Sequence, residues 1–229
     1  MTMDSSETKN MIFHMPIKID TDWHSGSQIR PQKMIEAFEN IGYRVSLIVG
    51  NVKERKRQIV KIKKDISKGV KYDFVYSESS TEPTALTESH HFPVAPFFDF
   101  NFLKFCKNNN IKVSLFYRDI YWKLDSYRVT TSYLKGKIAK AFYKYDLIKY
   151  KECVDILYVP SMEMYKFMKY EFNNKVSVLP PGATLTNNTE KDAVHEKLNL
   201  IYVGGLGDNY DLKLFLSVIS SLNEVQFNL

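Results

Sequence analysis

Short runs rich in aliphatic and aromatic residues recur along this chain. Each is followed by a loop and a helix-patterned stretch, and that alternation limits the possible folds more than any single motif. The runs fall at residues 10–15, 44–50 (closing on VSLIVG), 72–77, 111–117, 155–160 and 176–179. Helical patterning fills 28–40, 53–67, 98–109, 132–151 and 162–170. In the first of these, Ile29, Met34, Ala37, Phe38 and Ile41 keep the helical period, and Gly42 reads as the stop signal. Strands alternating with helices predict βαβ units and a mainly parallel sheet. The runs lack clean polar–apolar alternation, which predicts strands buried on both faces. The expected fold class is α/β, a Rossmann-like doubly wound parallel sheet over residues 1–182.

The chain changes character after that. Residues 183–197 are polar and aperiodic, and read as an interdomain linker. A new unit follows over 198–229. It has a strand at 197–203, the turn Gly204-Gly205-Leu206-Gly207, a helix at 210–222 and a strand at 225–229. About 32 residues cannot cover both faces of a sheet alone. The unit is expected to be the incomplete start of a second domain, or to need cover from the first domain or a partner.

Composition excludes several classes. Of 229 residues, 44% are apolar and 14% aromatic, enough for a core and too many for a disordered chain. Cys106 and Cys153 stand alone, with no CxxC or Cys/His cluster, so neither a disulfide framework nor a structural metal is expected. Met1 to Asn10 is polar, and no segment approaches the ~20 apolar residues of a membrane span. The expected location is the cytoplasm, with peripheral contact at the membrane left open. The net charge is +6, concentrated in nine Lys/Arg over 51–71 and six Lys over 133–151. Such charge suits nucleic acid, anionic lipid or phosphorylated substrates, and cannot choose among them. No nucleic-acid-binding signature accompanies it, so no nucleic-acid partner is expected.

In open parallel sheets ligands bind outside the carboxyl ends of the strands, which selects candidate residues directly. After the first strand come Trp23, His24, Ser25, Gly26 and Ser27, leading into a helix N-terminus whose N–H groups can hold an anion. The alternative is a capping serine with glycine easing the turn. After the third strand lie Glu78, expected with Arg118 and Asp119 among the catalytic groups, Ser79, suited to sugar hydroxyls, and Thr81, which reads as the cap of a helix opening with Glu82 and Pro83. After the fourth strand, Arg118-Asp119 precedes Tyr121-Trp122. Asp119 could deprotonate or orient an acceptor hydroxyl, Arg118 suits phosphate, and the two rings could stack on a sugar. The other reading is an ion pair over a core tryptophan. Gly204, Gly205 and Gly207 sit between strand and helix as a phosphate turn would, though without full GxGxxG spacing. His90-His91 reads as a surface pair. The basic helix at 53–71 reads as a solvated face. The helix at 132–151 carries a stripe of Leu134, Ile138, Phe142, Tyr145 and Ile148 beside Lys137, Lys140, Lys144 and Lys151. Core packing of that stripe and interfacial membrane binding both remain open, with core packing favoured.

The motifs, in order, resemble bacterial GT-B glycosyltransferases of the family-4-like group, including those of capsular and exopolysaccharide assembly. SGSQIRPQKMIEAFENIGYRVSLIVGN resembles the family's opening strand, glycine loop and helix. YDFVYSESSTEP and VSLFYRDIYW resemble the strand ends that line the acceptor cleft. DILYVPSMEMYKFM and VSVLPPGA resemble the end of the first domain, and LNLIYVGGLGDNYDLKLFLSVI the start of the donor domain. The resemblance spans about 10–222. It implies transfer of a sugar from a UDP- or GDP-sugar to a glycan or lipid-linked acceptor, usually without a metal. Gly26 then matches the first-domain glycine loop, Arg118-Asp119 a strand end where relatives carry His-Asp, and Gly205 the turn near the diphosphate. Leu206 stands where a basic residue is usual, and the paired-glutamate region is absent. The chain alone is therefore expected to be weakly active or inactive, with a complementary donor-domain chain or self-association as expected partnerships. A noncatalytic GT-B-like binding module is the competing reading.

Overall fold

A computed structural model of the chain describes residues 9–20, 22, 26–124, 127, 132–173, 175–182 and 212–221. The linker at 183–197, the strands at 197–203 and 225–229, and the turn Gly204–Gly207 lie outside those residues. The chain divides into two units, Met1–Pro181 and Gly182–Leu229.

In the first unit six strands form one parallel sheet: β1 (Lys9–His14), β2 (Tyr43–Ile48), β3 (Phe74–Glu78), β4 (Lys112–Phe116), β5 (Ile156–Val159) and β6 (Lys175–Val178). Their order is β2-β1-β3-β4-β5-β6, and every pairing is parallel. The helices between them are α1 (Gly26–Asn40), α2 (Val52–Ser67), α3 (Phe98–Asn108), α4 (Tyr133–Cys153) and α5 (Met162–Met168). This is the doubly wound α/β architecture that the alternation predicts.

Right-handed crossovers explain where the helices lie. The chain steps one way from β1 to β2, then the other way through every later strand. Accordingly α1 packs on one face, with Met34, Ile35 and Phe38 against Met11, Phe13, Tyr76 and Phe116. The other helices share the opposite face, where Ile59, Leu103, Leu147 and Met168 meet Ile12, Val75, Val113, Leu115 and Leu157. Neighbouring residues of the central strands point to opposite cores, as in Met11/Ile12 and Val75/Tyr76, so these strands are buried on both sides, whereas the edge strands β2 and β6 are only partly covered.

Local signals set the boundaries. Gly42 takes φ +90 after α1, a conformation that glycine enters without steric cost. A capping box opens α2: Asn51 accepts the Glu54 N–H at 2.9 Å, and Glu54 accepts the Asn51 N–H at 2.8 Å.

Three expectations need correction. The helix placed after Thr81 is a short 3₁₀ turn, Thr84–Leu86, preceded by Pro83 with no side-chain cap. The basic helix α2 is not simply a solvated face, since Arg55 is buried on it. On α4 the core takes Tyr143, Leu147 and Tyr150, whereas Leu134, Ile138 and Ile148 of the expected core stripe are exposed. In the second unit, the described part is the helix α6 (Leu212–Ser220), with Ile219 buried and Leu214, Phe215, Leu216 and Val218 exposed.

Candidate active site at the carboxyl ends of the strands

Strand order reverses between β1 and β3, and in such sheets the crevice opens outside their carboxyl ends. β1 ends there on His14, β3 on Glu78, and β4 runs on into Tyr117, Arg118 and Asp119. Two layers of charge build this rim.

The inner layer is a buried chain of four side chains. Arg55 donates from Nε to Asp99 Oδ1 at 2.9 Å and from Nη2 to Oδ2 at 3.0 Å. Its Nη1 donates to the carbonyls of Pro16 and Gly50. His14 Nε2 lies 3.0 Å from Asp99 Oδ1, and its Nδ1 shares a 2.8 Å hydrogen bond with Ser77 Oγ. Burial alone would raise the Asp99 carboxyl, but His14 and the Arg55 guanidinium outweigh it and hold the group below its ordinary range. Ser77, His14, Asp99 and Arg55 are all buried, so they tie β3, β1, α3 and α2 together and present no nucleophile.

The outer layer centres on Glu78, which is fully buried. Oε1 accepts the Tyr76 hydroxyl at 3.0 Å and lies 3.4 Å from Arg30 Nε. Oε2 accepts Arg118 Nη2 at 3.1 Å. Arg30 projects from α1, stacks 3.6 Å from the centroid of the Phe116 ring and donates to Tyr76 Oη at 3.2 Å. Burial raises the Glu78 pKa, and the two guanidinium groups only partly offset it. Two guanidinium groups thus stand at the rim on one buried carboxylate, with Asp119 beside them, and their donor geometry suits an anionic group.

Asp119 is the more open carboxylate. Its Oδ1 accepts the Tyr121 N–H at 3.1 Å, and the Thr81 hydroxyl bonds to it as well. Burial lifts its pKa above the ordinary range, while Tyr121, Thr81 and Arg118 pull the other way. A carboxylate raised in this way is the better proton acceptor near neutrality. Ser79 Oγ accepts the Arg118 N–H at 3.0 Å, fixing the turn that presents both groups.

The structure thus gathers Glu78, Ser79, Arg118 and Asp119 at one rim. Gly26 opens α1, and a methyl group added there would meet nothing within 4 Å among the described residues. Ser27 belongs to the first turn of α1. His24, Ser25 and the turn of Gly204, Gly205 and Gly207 lie outside the described residues. Trp122 is 4% exposed, stacks on Tyr143 at 5.1 Å and donates from Nε1 to Tyr117 Oη at 3.2 Å. Its ring packs in the core and offers no face to a sugar. Tyr121 is half-buried with its ring edge-on to Tyr127. His91 reaches Glu82 at 3.3 Å on the surface. Among the described residues, no group of three His, Cys, Asp or Glu could hold a metal ion.

Sequence reasoning missed Arg30, Tyr76, His14, Arg55 and Asp99. The strand-end rule that selected Glu78 applies equally to His14. Nothing local marks Arg55, whose partner lies 44 residues away. Compared with known proteins, the chain matches no protein-family model and no curated protein.

Proposed function

We propose that the chain is the acceptor-side domain, with the opening of the donor-side domain, of a GT-B-type glycosyltransferase that moves a sugar from a UDP- or GDP-sugar to a glycan or lipid-linked acceptor. The observation that carries this reading is Asp119, a half-buried carboxylate of raised pKa beside Arg118, at the carboxyl rim of a doubly wound sheet. In this scheme Asp119 takes the acceptor hydroxyl proton. Arg118 and Arg30 face the phosphate charge, and Glu78 positions Arg118 without touching substrate. The work would take place at the cytoplasmic face of a membrane, in surface polysaccharide assembly. The resemblance of the motif order to family-4-like enzymes supports the same reading.

A second reading is a noncatalytic GT-B-like module that binds acceptor or a complementary donor-domain chain. One observation favours it: Glu78 has no exposed surface, so one of the three expected catalytic groups is committed to protein contacts. Calorimetric titration with UDP, GDP and UDP-sugars separates the two. Micromolar binding that Arg118→Ala weakens supports the transferase. Binding of a glycan acceptor with no nucleotide binding supports the module, and binding of neither overturns both.

A further inference from the structure

The helix α4 packs on the sheet with one face and leaves an apolar face turned away from it. Tyr143, Leu147 and Tyr150 enter the core. Roughly opposite, at helical spacing, stand Leu134 (67% exposed), Ile138 (48%) and Ile148 (50%). Phe97, 58% exposed, sits beside Tyr145 of the same face at 6.0 Å between ring centroids, edge-on. Soluble domains rarely leave such a stripe uncovered without a partner for it.

Charge says which partner. Tyr133 to Lys144 carries four lysines and no Asp or Glu. On the helical wheel Lys137 and Lys144 run along one border of the stripe and Lys135 along the other. A second copy of this chain docking symmetrically on the stripe would bring like-charged borders together. An anionic bilayer meets both features at once. Its headgroups pair with lysines that extend along the apolar edge, and its acyl boundary takes the leucine and isoleucines.

We propose that the outer face of α4 docks the protein on an anionic membrane surface, with Leu134 and Ile138 entering the interface and the bordering lysines holding lipid phosphates. This is interfacial contact, since no described helix is long and apolar enough to cross a membrane. It is independent of the sugar-transfer reading, because it is measured without nucleotide or acceptor.

The test is co-sedimentation of the full chain with vesicles of phosphatidylcholine alone, and of phosphatidylcholine and phosphatidylglycerol in equal parts. Binding is expected only to the mixed vesicles, falling as salt rises. The paired change Leu134→Ser with Ile138→Ser should weaken it roughly tenfold with an unchanged melting temperature, because both side chains are exposed. Lys135→Glu with Lys137→Glu should weaken it by at least that much, at about fivefold per lysine removed. No binding to mixed vesicles overturns the proposal. So does equal binding by the Leu134/Ile138 variant, which would mean simple adsorption of a basic surface. A wild-type dimer that this variant converts to monomer would assign the stripe to self-association and also overturn it.

Discussion

Replacing Asp146 by asparagine removes a carboxylate that the fold buries with little compensation. Asp146 lies on the core side of α4 and is 4% exposed. Its Oδ2 accepts the Thr84 N–H at 2.7 Å, while Oδ1 has no hydrogen-bond partner among the described residues. Burial pushes its pKa up to about 7, with the Thr84 hydrogen bonds pulling down and Asp99 adding repulsion. In the unfolded chain the value is about 4. The native state therefore binds the proton more tightly. The contribution to stability is present in full below about pH 4 and is lost as pH rises through about 7. Three units correspond to about 4 kcal/mol. Asparagine keeps an acceptor for the Thr84 N–H but brings a buried amide group with unmet donors, costing about 1–3 kcal/mol. Asp146→Asn should thus stabilise by about 1–3 kcal/mol at pH 8 and destabilise by about 0–2 kcal/mol at pH 4.5, where the unfolded carboxyl is already largely ionised. Urea unfolding of both proteins at the two pH values, followed by circular dichroism, measures the difference. Because each comparison is made at one pH, other titrating groups largely cancel. The same difference in stability at both pH values would refute the reasoning.

Arg55→Ala leaves the Asp99 carboxylate buried beside His14 without its guanidinium, and should cost about 3–5 kcal/mol in thermal or urea unfolding; a loss under about 1 kcal/mol would mean the clamp is not formed. Under the proposed transfer chemistry, and with a complementary donor-side domain supplied, Asp119→Asn should lower kcat by about 10²–10⁴. The wild-type rate should fall as pH drops through the Asp119 pKa, a limb lying above the ordinary carboxylate range, and the variant should lack it. An unchanged acid limb in the variant would assign the proton to another group.

The sheet and its helices were legible because periodicity is a local property. Runs such as 44–50 and 155–160 meet their observed strands within two residues at each end, and Gly42 marks the end of α1 where its left-handed backbone is needed. Periodicity says which residues share a face but not which face the sheet will use. In α4 the stripe from Leu134 to Ile148 and the set Tyr143, Leu147 and Tyr150 are both helically spaced, and the second set packs because Trp122, Tyr117 and Phe100 present rings to Tyr143 and Tyr150. The site divides similarly. Arg118, Asp119 and Glu78 could be picked by their place after strands. Arg30 and Arg55 could not, because their roles come from partners 48 and 44 residues away, Glu78 and Asp99. Trp122 shows the converse, a site-like neighbour of Asp119 whose ring the core had already claimed.

The clamp of Arg55, Asp99 and His14 also bears on motion. It joins β1, α2 and α3, segments that close loops of about forty residues each, so none can loosen without exposing a buried charge. Backbone amides around His14, Ser77 and Asp99 should therefore open as one cooperative unit, which hydrogen exchange would show as a shared opening free energy close to that of global unfolding. Under the sugar-transfer reading the rim then acts as a stiff anvil, and the rearrangement on substrate arrival falls to segments this clamp does not hold.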